Sequence, residues 1–506
     1  MCSRNRQNPP KSAALWLAAG LAALIGGCHP ARTDGSGRAL EILAPTDVAT
    51  LDPRFSTRAL DIKITRLVHA GLVGLDPATL APIPLVAARW HFADDRTLHV
   101  TLKRGVHFHG GRALSPHDVC ATLAALNDPA LGSPHRAVVR AIGSCREDGP
   151  RKLVIHLAHP RATLLTDLEV PILRADQARL PPRPDGDLDG LGPFRITHVG
   201  EGEVELAPAD SGALPRPKHS VVIRTVHDEN ARALRLLAGR ADIAVNAISP
   251  ALLPALEGRQ GLSVVSRPGA NVTYLLMHNE WAPFDRVEVR RAIAHAIDRT
   301  KLVRTLLSGH ARIASQIFPR GHWAHAPGLR PEPFDPDQAR RVLHTLPPVT
   351  LLTSTDRARI TLARAIAQML GDAGLQVRVV PLDLGVMLER LDGGDYQMAT
   401  LEMPELTEPN ILKWFFDPKG VPGEGGEGRN RARYRSPQAG ALLEAASTTR
   451  DQSVRAGLYV RLAHLMADDM PVIPLWHEDQ IAVVSSRARG FRPSAEGRWL
   501  SVAKLP

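Results

Sequence analysis

The chain is poor in aromatic residues, with Phe, Tyr and Trp together making up only 4% of it. Few flat surfaces are therefore on offer for bases or sugars to stack on. It also lacks blocks of like charge. The 62 Lys and Arg exceed the 52 Asp and Glu by 10, mostly as scattered Arg, and the sequence pI is near 9.8. A mild, dispersed excess of this kind does not make a nucleic-acid stripe. No Gly-x-Ser-x-Gly, His-Glu-x-x-His or Gly-x-x-x-x-Gly-Lys-Ser/Thr occurs, so hydrolase, zinc-peptidase and nucleotide-binding readings have no support. Nothing repeats at a period of 20–50 residues, which excludes solenoids and propellers. What is present is ordinary for a globular protein: 44% hydrophobic and 23% charged residues. A wholly disordered chain is excluded. At ~100–200 residues per domain, 506 residues predict two to four domains. The 42 Pro and 40 Gly predict many turns between short elements.

The first residues read as an address. Met1 to Lys11 carries Arg4, Arg6 and Lys11 and no acid, and Ala13 to Ile25 is then apolar apart from one Gly. That run is shorter than the ~20 residues a membrane-spanning helix needs, and a basic start before a short apolar core is the pattern of a secretory signal. It ends in Ile25-Gly26-Gly27-Cys28, which resembles a bacterial lipobox. The expectation is a signal over 1–27, an acylated Cys28 as the first mature residue, and a polar tether over 28–38. Beyond it no run reaches 18 apolar residues, so the remainder is expected to be soluble and held to the membrane by lipid alone. Of the four Cys, Cys2 leaves with the signal and Cys28 carries lipid. Cys120 and Cys145 remain, in an oxidising compartment. They are either a disulfide or two separate buried thiols.

From Ala39 the pattern is mixed α and β. Strands are predicted at Ala39–Leu43, Leu98–Leu102, Leu153–Leu157 and Gln376–Val380. Helices are predicted over Ile62–Leu75 and from Pro116, with Ser115 as N-cap. Others follow over Asp228–Ala238 before Gly239, Leu362–Ala373 before Gly374, and Arg455–Met466. Val289 to Leu307, ending at Gly309, is predicted as the longest helix.

Against this background the run Leu98 to Val119, LHVTLKRGVHFHGGRALSPHDV, is distinctive. With Leu51-Asp52-Pro53, Gly192-Pro193-Phe194, Val289-Arg290-Arg291-Ala292-Ile293 and Pro471-Val472-Ile473-Pro474-Leu475 in order, it resembles the family 5 extracellular solute-binding proteins. These are the oligopeptide-, dipeptide- and nickel-binding components of ABC importers. The likeness runs over roughly 40–500. It implies an α/β, periplasmic-binding-protein-like class II fold, with two hinged α/β lobes plus an extra inserted domain. Lobe I would be 39–66 with 190–267 and 480–506, domain II 67–189, and lobe III 268–479. It implies a non-enzymatic substrate-binding lipoprotein of the periplasm or cell envelope, a monomer without cofactor. That protein captures peptides between its lobes and delivers them to an ABC permease and its ATPase, with no nucleic acid involved. The alternatives are a binder of nickel chelate, haem or another small solute, or a sensory lipoprotein on the same scaffold.

Peptide-binding members carry Trp-x-x-Asp before an acidic-Pro turn, the Asp meeting the peptide's ammonium. The matching stretch here is Leu401 to Asn410, with Glu408-Pro409 as the turn. The resemblance thus implies ligand contact by Glu405, with Glu402, Met403, Thr407 and Trp414 around it. A carboxylate meeting an ammonium makes a charge-assisted hydrogen bond. Glu402 stands where the Trp would be. Glu402, Glu405 and Glu408 either favour a more cationic ligand, or Glu402 and Glu408 point at water or at Arg. Asp185-Gly186-Asp187-Leu188-Asp189-Gly190 begins like a calcium loop, but Ile196 occupies the position that needs a Glu. His322 and His325 have no neighbouring Cys or carboxylate in sequence, and no metal site is expected.

Overall fold

A computed structural model describes residues 37–423 and 428–506 of this chain. The signal, Cys28 and most of the tether lie outside the described residues. Among those described, no helix is long and apolar enough to cross a membrane.

The architecture is mixed α/β around one twelve-stranded sheet. Its order is Val377–Leu382, Val349–Ser354, Met398–Met403, Val272–Met277, Val472–Ser485, Ile243–Val245, Leu40–Ala44, Val221–Thr225, Glu203–Pro208, Phe194–Gly200. Leu262–Pro268 and Ala311–Ile313 also pair with Val472–Ser485. Leu40–Ala44 is buried along its whole length between two parallel neighbours, so it reads as an unbroken apolar run. In Val272–Met277 the faces divide. Val272, Tyr274 and Leu276 enter one core and Leu275 and Met277 another, as alternate strand residues must.

A separate four-stranded antiparallel sheet runs Ala87–Phe92, Thr97–Leu102, Lys152–Leu157, Ile142–Glu147. It has its own core, with Leu98, Val100 and Leu102 buried on one face. The helix Pro116–Asn127 covers it, opened by Ser115 and Asp118 in a reciprocal capping box. Asp118 accepts from the Ser115 amide at 3.0 Å. Cys120 on this helix and Cys145 on the edge strand form a disulfide, their Cα atoms 5.2 Å apart.

Two helix expectations need correction. The helix expected over Ile62–Leu75 is Ala59–Val68, and Val73–Leu75 is a strand. The chain straightens because Gly71 lies against the Glu169 backbone, where a Cβ would meet the Glu169 carbonyl oxygen at 2.6 Å. The helix expected over Val289–Leu307 is two, Val287–Ala296 and Arg299–Leu306. Ile297 is extended, and Asp298 caps the second helix by accepting from the Lys301 amide at 2.8 Å. Among the described residues the longest helix is Gln452–Asp469, with 18 residues.

The strand Val472–Ser485 belongs to both halves of the large sheet. Its C-terminal part pairs with Leu262–Pro268 and Ile243–Val245, its N-terminal part with Val272–Met277 and Ala311–Ile313. Between them the partner ribbon is interrupted at Gly269 to Asn271. There the Asn271 side chain stands in for ladder bonds. Its Nδ2 donates to the Glu478 carbonyl at 2.9 Å, and its Oδ1 accepts from the Glu478 amide at 2.7 Å. The His477 ring adds a bond to the Asn271 carbonyl at 2.5 Å.

Candidate ligand-binding site

The strand Met398–Met403 pairs with Val272–Met277, Glu402 opposite Thr273, and runs into the loop Pro404–Asn410. Leu406 pins that loop. It is fully buried in the core of its half, and its amide donates to the Ala270 carbonyl at 2.8 Å. Pro404 and Glu405 are left exposed beside it.

Opposite stands the helix Ala59–Val68, whose Leu60, Ile64 and Leu67 are anchored in the core of the other half. Lys63 and Arg66 lie three residues apart, hence on one helix face. The charge of Glu405 bears on Lys63, Arg66 and Arg498, favouring the charged form of each. Glu405 itself makes no hydrogen bond or ion pair among the described residues. Arg66 and Arg498 both bond Glu169, Arg66 at 2.5 Å and the Arg498 Nη2 at 3.0 Å. Arg498 also reaches Glu496 at 3.2 Å. Burial works to raise Glu169, but Arg66 and Arg498 together hold its carboxyl below the usual carboxylate range. Burial pushes Glu496 up, and Arg498 only partly offsets it.

Two cavities lie nearby, neither of them lined by Lys63 or Glu405. One, about 180 Å³, is lined by Arg66, Glu169, Glu496 and Arg498 at one end and by Leu75 and Leu85 among its apolar walls. The other, about 100 Å³, is lined by Leu80, Arg267, Ala270, Arg320, His322 and Ala495. His322 packs beneath the loop. Its Nδ1 accepts from the Ala324 amide at 3.0 Å, and burial pushes its pKa down to about 3. The ring is therefore neutral, and with Nδ1 accepting, its proton sits on the buried Nε2.

The structure does not gather all the residues named from sequence. Glu405 and Thr407 share the loop. Glu402 is bound to the Arg359 guanidinium, and burial still raises its carboxyl. Met403 is 2% exposed in the core with Leu406, not on a ligand-facing surface. Trp414 is exposed, but the Arg429 guanidinium covers its ring at 5.5 Å and the Arg429 amide bonds its carbonyl at 2.6 Å. Glu408 is held by Arg455, by Thr166 Oγ1 at 3.0 Å and by the Asn410 amide at 3.0 Å. Glu402 and Glu408 therefore both point at Arg. His325 spends its Nδ1 on the Phe318 carbonyl at 3.0 Å. Among the described residues no group of three His, Cys, Asp or Glu could hold a metal ion. Lys63, Arg66, Glu169 and Arg498 have no sequence signal as site residues. Only the i, i+3 spacing of Lys63 and Arg66 sets any of them together, and the fold supplies the rest.

The likeness to known proteins follows this geometry. Residues 81–423 match the family described as bacterial extracellular solute-binding proteins, family 5, middle region. The chain is 26% identical over 491 residues to the probable di/tripeptide-binding protein 5 of Pseudomonas aeruginosa, covering 89% of this chain and 91% of that one. It superposes on the ABC transporter substrate-binding protein CtaP of Listeria monocytogenes with a TM-score of 0.82 at 19% identity, over 93% of this chain and 99% of that one. For NikA of Brucella suis in complex with Fe(III)-EDTA the TM-score is 0.81 at 20% identity, over 92% and 98%. The fold is thus of the periplasmic-binding type, two hinged α/β lobes with an extra inserted domain. The chain belongs to family 5 of the bacterial extracellular solute-binding proteins.

Proposed function

We propose that this protein is the peptide-capturing component of an ABC importer. A lipid on Cys28 anchors it in the cell envelope, and it presents its closed form to a permease whose separate ATPase supplies the energy. The observation that carries the reading is Glu405: an exposed carboxylate with no hydrogen bond or ion pair among the described residues, on a loop of one lobe, its charge bearing on Lys63, Arg66 and Arg498 of the other. A peptide's ammonium is the group such a carboxylate suits. Its backbone would lie against the main chain beside Thr407, as an added strand does. Its side chains would have the flanking cavities, the larger about 180 Å³. An apolar cavity of ~150 Å³ admits a benzene-sized group, so this space suits one bulky apolar side chain. Lobe I is assigned to 39–66, 190–267 and 480–506, domain II to 67–189, and lobe III to 268–479, with a monomer as the working form.

Thermal stabilisation of the purified protein by a dipeptide and tripeptide library tests the reading. A ligand at 100 times its Kd stabilises by about 2.7 kcal/mol, a readable shift. The Glu405→Ala variant should lose that stabilisation. A response to nickel chelates or haem with none to peptides would overturn the peptide assignment, and unchanged affinity in Glu405→Ala would overturn the site. Cys28→Ala should release the protein into the soluble fraction.

A further inference from the structure

Away from the lobe interface, one enclosed pocket lies wholly within the half of the molecule that carries Glu405. Its volume is about 70 Å³, and all of its lining residues fall between 299 and 474. It shares none of them with the two cavities described above. Its walls are largely apolar. Ile317 and Phe318 come from one loop, Met466 from the helix Gln452–Asp469, and Met470 and Val472 from the turn where that helix passes into the strand Val472–Ser485.

The remaining wall is basic. Arg299 and Arg330 line it together with Glu332. Arg299 is 6% exposed. It opens the helix Arg299–Leu306, the end at which the helix dipole is itself positive. Its Nη1 donates to the Glu332 main-chain carbonyl at 2.8 Å, and its Nε is buried without a partner. No carboxylate makes an ion pair with it among the described residues. The Glu332 carboxylate instead stands 3.8 Å from the Arg291 Nε and 3.7 Å from the His295 Nε2. Burial lowers the Arg299 pKa to about 10, so the guanidinium stays charged at neutral pH. Arg330 is exposed and likewise has no ion pair among the described residues.

A buried guanidinium without a counter-ion is costly. One carboxylate placed here would be met by two guanidinium forks. The apolar walls favour an anion with a hydrocarbon tail over a hydrated inorganic one. Size limits that tail: a cavity of ~150 Å³ admits benzene, so about half of that space holds roughly three carbons. Met466 and Met470, unbranched and soft, let the walls adapt to its shape.

We propose that this pocket binds a short-chain monocarboxylate of about three to five carbons, its carboxylate on Arg299 and Arg330 and its tail on Ile317, Met466 and Met470. The site is separate from the peptide cleft, and the inference stands whether or not the protein captures peptides.

Saturation-transfer NMR titration of the purified protein with butyrate tests it. Binding is expected with a Kd of about 1 mM or below. Butyramide, of the same shape and without charge, should bind at least about 10-fold more weakly, and so should octanoate, which is too long for the space. Ala463→Leu fills the pocket from the helix Gln452–Asp469 without removing a polar group and should abolish butyrate binding. Arg330→Gln, at an exposed position, should weaken it about 3- to 10-fold. Absence of binding at about 10 mM butyrate would overturn the inference, as would butyramide or octanoate binding as tightly as butyrate. Butyrate binding that is unchanged in Arg330→Gln, or retained in folded Ala463→Leu, would place the anion elsewhere and overturn it too.

Discussion

Removing the Cys120–Cys145 disulfide gives a stability change whose size follows from chain length. The bridge closes a loop of sequence separation 25 between the helix Pro116–Asn127 and the strand Ile142–Glu147. Both Cys pack against the core of the four-stranded sheet. The chain-entropy relation puts the unfolded-state restriction at about 12 cal/mol/K, or about 3.5 kcal/mol at 25 °C. How this appears in Tm depends on what melts together. At about 2.1 cal/mol/K per residue, an inserted domain of about 120 residues melting alone would lose about 14 °C. A chain of about 470 residues melting as one would lose only 3–4 °C, roughly. Scanning calorimetry of the Cys120→Ala/Cys145→Ala variant, beside wild type with and without reductant, reads both the bridge and the cooperativity. A shift below about 1 °C in both comparisons would refute the reasoning. So would two titratable thiols in the denatured, unreduced wild type.

Four further predictions concern single groups, three of them buried and one exposed. Asn271→Ala strips both main-chain groups of Glu478 of their partner and should cost about 2–4 kcal/mol in urea unfolding; a loss below about 0.5 kcal/mol would show that water replaces the side chain. Glu408→Gln leaves Arg455, 5% exposed, without its counter-charge and should cost about 3 kcal/mol. Glu444→Gln, which breaks the exposed pair with Lys413, should cost under about 0.5 kcal/mol in the same assay. Burial lowers His69 and His322 to about 3 and His477 to about 4. Unfolded, each takes up a proton near pH 6.5, whereas folded it does not, so stability falls as pH drops below that value. At pH 5 each should cost about 2 kcal/mol relative to pH 8. A Tm unchanged between pH 8 and 5 would contradict their burial as neutral rings.

Local pattern made much of this fold legible. Leu98, Val100 and Leu102 alternate and are buried on one face. Ser115-Pro116 opens a helix, and Gly239 and Gly374 stop two others at positive φ. Failures came where long-range contact overrides local preference. Leu72 to Leu75 is apolar enough for either state, and only the approach of the Glu169 backbone to Gly71 makes it extended. Asp298 looks like a helix surface residue until Ile297 breaks the run. At the candidate site the motif singles out Glu405 but says nothing of the partners of its neighbours. Arg359 answers Glu402 from 43 positions away, and Arg455 answers Glu408 from 47. Lys63 and Arg498 come from near opposite ends of the chain. No periodicity ties such residues together, and only the order of strands in the sheet brings them to one place.

One strand of 14 residues, Val472–Ser485, has a lasting mechanical effect. It is common to both lobes, so neither can swivel about a single bond. Any opening of the mouth must be spread as torsion along that shared spine, which yields to twisting but resists stretch and shear. A closure that twists this strand would bring the outer faces of the two lobes to one mutual attitude. On the proposed function, a transporter touching both faces at once would read a full mouth from an empty one by angle alone.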